Sequence, residues 1–216
     1  MTPWARLSRL FGAPQALSPR RWVVLDVETS GLVPQRDRLI AIAAVAVRLD
    51  QGLPRVALGD SFEVVLRQPE HAPDKANILL HGIGVGAQRE GVEPRLALAT
   101  FERWLGDAPV VAFHAAFDEA MIGRAMNSAL GHRLANAWVD LQPVAAAVHP
   151  KVEARSLDEW LDHFGIECAV RHQAAADALA TAELLQVLWP AVRAQVAAAD
   201  FGALQRLAAQ ARWLQR

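Results

Sequence analysis

Apolar and polar positions change period several times along the chain, and each change marks an element. Trp22-Val23-Val24-Leu25 is an unbroken apolar run with β-branched members, which predicts a buried strand. Leu39–Leu49 is a longer apolar run, and Asp60–Leu66 alternates with Phe62, Val64 and Leu66 on one face. The turn residues Asp50-Gln51-Gly52 lie between them, so three strands follow one another as an antiparallel meander. The period then becomes helical. Asp74–Leu80 suits a short helix stopped by His81-Gly82-Ile83 and a glycine-rich loop, and Pro94–Leu105 lines up Leu96, Leu98, Phe101 and Leu105. Short strands at Val110–Phe113 and Trp138-Val139 alternate with helices over Ala115–Leu130 and Leu141–Val148. Ser156 and Glu159 form a capping box that opens a helix over Leu157–Phe164, and Gly165 stops it. An alanine-rich helix runs over Gln173–Leu188 and ends at Pro190, and a last helix reaches Trp213. This order predicts an α/β fold, a mixed sheet covered by helices.

Three segments follow from that pattern. Residues 1–20 form an N-terminal amphipathic appendage, with Trp4, Leu7, Leu10 and Phe11 at helical spacing before the breakers Gly12, Pro14 and Pro19. Residues 21–190 form the main domain, and residues 191–216 a C-terminal helix packed on it.

Composition narrows the class. At 216 residues and 53% hydrophobic content the chain is long enough for one well-buried core. Its longest apolar run, Leu39–Val47, is too short to span a bilayer. The single cysteine, Cys168, excludes an intrachain disulfide and a thiolate metal cluster, which fits a reducing, cytoplasmic setting. A net charge of −1 supplies no global basic field for nucleic acid. All the basic residues except Lys75 and Lys151 are arginine, a bias that fits phosphate contacts and an alanine-rich composition alike.

Candidate chemistry begins at the end of the first strand. Asp26 and Glu28 are two residues apart, so a strand turns both to one face. Like charges so placed repel unless a cation lies between them, and hard divalent ions take carboxylate oxygens. Either the strand end reaches solvent or the pair ligates a metal. Thr29-Ser30-Gly31 adds hydroxyls and a turn where backbone can approach a phosphate. Asp118 falls in the first turn of its helix, where an acid also complements the helix dipole. His172 and Asp177 bracket the start of the alanine-rich helix, whose small neighbours allow close packing around an aspartate that is costly to bury alone.

Taken together, Asp26-x-Glu28-Thr29-x-Gly31, Phe117-Asp118 and His172-x-Ala174-x-x-Asp177-Ala178 resemble, in order, the three motifs of the DnaQ-like (DEDDh) 3′→5′ exonucleases. That superfamily includes the proofreading subunits of bacterial DNA polymerase III. The resemblance covers roughly residues 20–190, with His81-Gly82-Ile83, Val139-Asp140-Leu141 and Ser156-Leu157-Asp158 as further landmarks. It departs at one position, where the family usually has Asn four residues before the second-motif aspartate and this chain has His114. Histidine also donates a hydrogen bond, which implies a tuned site. A sister group uses tyrosine for the third-motif histidine; this chain has none, so the role falls to His172.

The resemblance implies a ribonuclease H-like mixed sheet of five strands flanked by helices. It implies two Mg²⁺ or Mn²⁺ ions held by Asp26, Glu28, Asp118 and Asp177, with His172 as general base, releasing nucleoside 5′-monophosphates from a 3′ end. Thr29, Ser30, Gly31 and Leu32 would meet the terminal nucleotide. Leu80 and His81 would line the sugar pocket, with His114 also at the substrate and Phe117 either stacking there or belonging to the core. Single-stranded DNA is favoured over RNA, with processing of tRNA ends or oligoribonucleotides as the alternative and a non-catalytic interaction module as the third reading. The chain ends one helix past the third motif without a clamp-binding peptide, which favours a free-standing or loosely associated enzyme. Its N-terminal segment is the candidate contact for a replication or repair protein.

Overall fold

β-Branched and small apolar side chains on both faces of two neighbouring strands build the centre of the molecule. The computed structural model describes residues 21–69 and 75–214, so the amphipathic segment 1–20 and Asp74 lie outside the described residues. The strands are β1 (Arg21–Thr29), β2 (Leu39–Asp50), β3 (Leu53–Val65), β4 (Val110–Ala112) and β5 (Trp138–Asp140). They form one five-stranded sheet in the order β3-β2-β1-β4-β5. β1–β2 and β2–β3 are antiparallel, whereas β4 and β5 run parallel to β1. The mixed sheet follows from the sequence order: turns join the first three strands, and helices separate the last two.

Side chains alternate across the sheet. Trp22, Val24, Val45 and Val47 point to one face, while Val23, Leu25, Val27, Ile42, Ala44 and Phe62 point to the other. The second face is covered by α3 (Pro94–Leu105) and α4 (Ala115–Leu130), through Leu98, Phe101, Met121, Ile122 and Met126. The first face is covered by α5 (Leu141–Val148), α6 (Leu157–Phe164), α7 (Ala174–Gln195) and α8 (Phe201–Leu214). Trp22 packs edge-on against Trp189 of α7 and Phe201 of α8 at 5.6 and 5.5 Å. Helix α8 lies against α5 and β5. Among the described residues no helix is long and apolar enough to cross a membrane.

The structure moves two boundaries and adds a helix. β3 begins at Leu53, before the alternating Asp60–Leu66 stretch, because residues 58–60 loop out of register: Ala57 pairs with Ala46 and Ser61 with Val45. Asp60 within this bulge is held by Arg21 (2.9 and 3.0 Å) and Arg48 (2.9 Å). The glycine-rich stretch after His81 contains a short helix, α2 (Val85–Glu90), following α1 (Lys75–His81). Its glycines hid it, and the buried Gln88 secures it by donating to the Ile83 carbonyl at 2.9 Å. Finally, α7 continues past Pro190 to Gln195. Pro190 faces solvent, where water can satisfy the carbonyl that loses its helical partner. Trp189 Nε1 and Gln186 Nε2 bond the Gly52 and Pro54 carbonyls, both at 2.8 Å, tying this half of α7 to the β2–β3 turn.

Leu185 of α7 is fully buried against the sheet. Leu185→Ala is expected to cost about 2–5 kcal/mol and to lower the thermal midpoint measurably in scanning calorimetry.

Candidate active site

β1 carries its alternation past the core into a crevice. Asp26 and Glu28 continue the stripe begun by Trp22 and Val24, so both carboxylates face α7. Their partners across the β1–β2 ladder are Ala43 and Ala41, small side chains that leave room above the strand. Helix α7 brings Asp177 in its first turn, and the Ala174 backbone N–H binds Glu28. β4 stops at Ala112, leaving β1 without that neighbour at its C-terminal end. There the Val27 N–H bonds Asp118, which enters from the first turn of α4. The site therefore lies off the carboxyl ends of two parallel strands, where the chain connections diverge.

The four carboxylates share one electrostatic environment. Burial raises the Asp26 pKa well above the ordinary value, and Asp118, Asp177 and Glu28 each raise it further. Burial, with Asp177, lifts Glu28 to about 8. Asp118 is also raised, first by burial and then by Asp140 and Glu28. Glu28, Asp118 and Asp177 are buried, and Glu28 Oε1 has no hydrogen-bond partner within the protein. Such a set of hard oxygen donors calls for a compact positive charge. The donors fit a divalent cation in kind. As they stand, no three acidic, histidine or cysteine side chains among the described residues form a ready-made ligand group. Both oxygens of Asp177 are taken: Oδ1 by the Arg171 guanidinium and Oδ2 by the His172 backbone N–H at 3.1 Å.

His172 itself is exposed at the mouth, just before α7, with a left-handed backbone (φ 61°). His114, immediately before α4, also adopts this conformation (φ 61°, ψ 41°), and its N–H bonds Asp140 at 2.9 Å. Asparagine and histidine are both enriched in left-handed backbone, so the departure at His114 keeps a residue type that suits the turn. Phe117 is half-buried and packs against the core beneath α4.

The loop after β1 is braced internally. Arg38 N–H donates to Ser30 Oγ, Val33 N–H to Asp37 Oδ2, both at 2.8 Å, and Thr29 Oγ1 donates to the Gly31 carbonyl at 2.8 Å. A Cβ at position 31 would stand 2.4 Å from the Asp37 carboxylate, which would have to leave its bond to the Val33 N–H to admit one. The braced loop holds Leu32 out into solvent, 85% exposed. Leu80, on α1, is likewise exposed. His81 is buried, its Nδ1 accepting from the Ile83 N–H at 3.0 Å and its Nε2 unpartnered in the protein. The Gln173 side chain, at the start of α7, lies beside Gly82, which brings this corner up to the His172 turn.

Sequence reasoning gave Arg171 and Asp37 no role at the site and carried Asp140 and Asp158 only as landmarks of the resemblance. Arg171 had a signal, a cation directly before His172, but nothing local separates it from a surface arginine.

The profile of the RNase T exonuclease family matches residues 23–185. The chain belongs to this exonuclease family. Among curated relatives, the PolC-type DNA polymerase III of Oceanobacillus iheyensis is 30% identical over 164 residues, covering 76% of this chain and 11% of that protein. That of Listeria monocytogenes is 31% identical over 170 residues, covering 78% and 11%. The chain thus spans about a tenth of the length of these curated relatives. Among solved structures, E. coli exonuclease I in complex with a dT13 oligonucleotide aligns with TM-score 0.68 at 18% identity, over 82% of this chain and 42% of that one. Cell-death related nuclease 4 aligns with TM-score 0.67 at 15% identity, over 78% and 63%. The zinc-bound exonuclease I–single-stranded DNA complex aligns at 0.65 and 19%, over 78% and 40%. These likenesses show a ribonuclease H-like fold, and the DnaQ-type membership implied by the motifs holds.

The buried carboxylates give this exonuclease domain a pH signature. The folded chain without metal keeps the Glu28 proton up to about pH 8, whereas the unfolded chain releases it near 4.5. Between those values the folded state binds more protons, so stability falls as pH rises through the window. The thermal midpoint in EDTA is expected to drop from pH 5 to pH 8, and Glu28→Gln to flatten that slope.

Proposed function

We propose that the chain is a metal-dependent 3′→5′ exonuclease acting on single-stranded DNA ends and releasing nucleoside 5′-monophosphates. The observation that supports this most directly is the gathering of Asp26, Glu28, Asp118 and Asp177 at the end of β1, beside an exposed histidine. Asp26, Glu28 and Asp177 would hold one divalent ion, Mg²⁺ or Mn²⁺, and Asp26 with Asp118 a second. Bound there, the pair supplies an acidified water and charge stabilisation for the leaving 3′ oxygen.

The protein groups account for the remaining work. His172, exposed at the mouth, accepts the proton of the attacking water as general base. The backbone of Thr29, Ser30 and Gly31 approaches the terminal nucleotide, held by the Asp37 brace, while Leu32 projects beside its base. Leu80 flanks the sugar from the exposed end of α1, while His81, expected beside it, is buried and shapes that corner from behind. His114 stands at the start of α4 as a donor, and Phe117 supports that corner from the core. The E. coli exonuclease I complexes with single-stranded DNA and the PolC relatives favour DNA over RNA for this chain. By the same reasoning the working location is the cytoplasm, and a replication or repair partner would dock through residues 1–20.

Stepwise shortening of 5′-labelled single-stranded DNA in Mg²⁺ or Mn²⁺ is expected, with EDTA abolishing it. Asp26→Ala should reduce the rate by about 10²- to 10³-fold, since metal contacts contribute several kcal/mol. Preferential shortening of matched RNA would move the enzyme to RNA processing, and no metal-dependent shortening of either would refute catalysis. His114→Asn should retain activity and stability, whereas His114→Val, disfavoured in left-handed backbone, should cost about 1–3 kcal/mol in denaturant unfolding.

A further inference from the structure

Arg171 reaches from the rim of the site to its buried floor. Its Nη1 bonds Asp177 Oδ1, and its Nε bonds Asp158 Oδ1 in the first turn of α6. The Asp158 side chain is 50% exposed, that of Arg171 25% and that of Asp177 8%, so the guanidinium links a solvated carboxylate to a buried one. Its charge is felt deeper still, opposing the upward shifts of Asp26 and Glu28. Burial works against the charge on Arg171, but the bonds to Asp158 and Asp177 outweigh it. Arginine does not deprotonate in proteins, so this positive charge is permanent.

The other contacts of Asp177 leave little room for a newcomer. Oδ2 accepts the His172 N–H, and Cys168 Sγ lies 3.5 Å from Oδ1. A divalent cation that takes Oδ1 must displace the guanidinium, and one that uses the remaining lone pair of Oδ2 meets its positive charge at close range. The His172 N–H belongs to the backbone of the turn into α7, whereas the Arg171 guanidinium ends a flexible side chain. Arg171 is therefore the group that yields. Its second partner, Asp158, stays in place when Asp177 is taken, so displacement breaks one ion pair rather than two.

We propose that Arg171 is an internal counter-cation of the carboxylate site, competing with the divalent ion for Asp177: it braces the metal-free fold and weakens metal binding. This inference rests on the metal-dependent reading above. It differs from a plain structural tie between α6 and the start of α7, because a tie would stabilise the protein equally with and without metal.

Mn²⁺ binding to the full chain by titration calorimetry tests the competition, together with thermal unfolding in EDTA and in saturating Mn²⁺. Arg171→Gln should bind Mn²⁺ about fivefold tighter or more, the lower end of ordinary coupling between two ligands. Its midpoint in EDTA should fall by about 3 °C or more, while its midpoint in saturating Mn²⁺ stays near that of the wild type. Arg171→Lys, which keeps the charge, should return both quantities toward wild type. Equal or weaker Mn²⁺ binding by Arg171→Gln overturns the proposal, as does an equal fall in both midpoints. If neither protein binds Mn²⁺, the metal reading fails and the competition with it; binding of equal affinity by both overturns only the role of Arg171.

Discussion

The mutual repulsion of carboxylates gathered at the end of β1 is the constraint on which the site depends. Unit charges about 4 Å apart cost on the order of 4 kcal/mol per like pair at an effective dielectric near 20. Burial already disfavours the charge of Asp26, and Asp118, Asp177 and Glu28 each add to that penalty. The surrounding fold is arranged to bear this load. The Ala174 N–H bonds Glu28, the Val27 N–H bonds Asp118, the His172 N–H bonds Asp177, and Arg171 supplies a positive charge. Each donor occupies its own position on the chain, so a local loosening at any one of them exposes the others to uncompensated charge.

Rigid elements deliver these groups. Each acid sits at the end of a strand or in the first turn of a helix, positions whose geometry is set by backbone hydrogen bonds and core packing. Asp26 and Glu28 inherit their direction from the stripe that buries Trp22 and Val24. Asp118 and Asp177 inherit theirs from α4 and α7, packed on opposite faces of the sheet. The acids thus arrive from both faces and meet past the strand ends. Two histidines in left-handed backbone, His114 and His172, mark the turns into those helices. A conformation that costs energy at both turns is consistent with a site where side-chain placement outweighs local ease.

Much of this arrangement was legible beforehand. The strand order up to the third strand, α3 through α6 and the two-residue offset of Asp26 and Glu28 follow from local periodicity and turn chemistry. Periodicity failed where tertiary contacts override it. Leu53–Ala57 has no clear alternation, yet it pairs with β2, and the Asp60 bulge beside it is clamped by Arg21 and Arg48. Pro190 reads as a stop, yet α7 passes it because that side of the helix meets water.

The sequence by itself determined the family, the mixed α/β class and the identity of the acids, because each is carried by residue type and spacing along one element. Only the tertiary structure decided how those acids are charged and partnered. Whether a carboxylate is buried, which backbone N–H meets it and which guanidinium stands beside it depend on groups far apart in the chain. Asp118 and Asp177 approach Asp26 across the sheet, and Arg171 links Asp158 of α6 to Asp177 of α7. No pattern along one dimension encodes those meetings, since packing of the helices on the sheet brings them about.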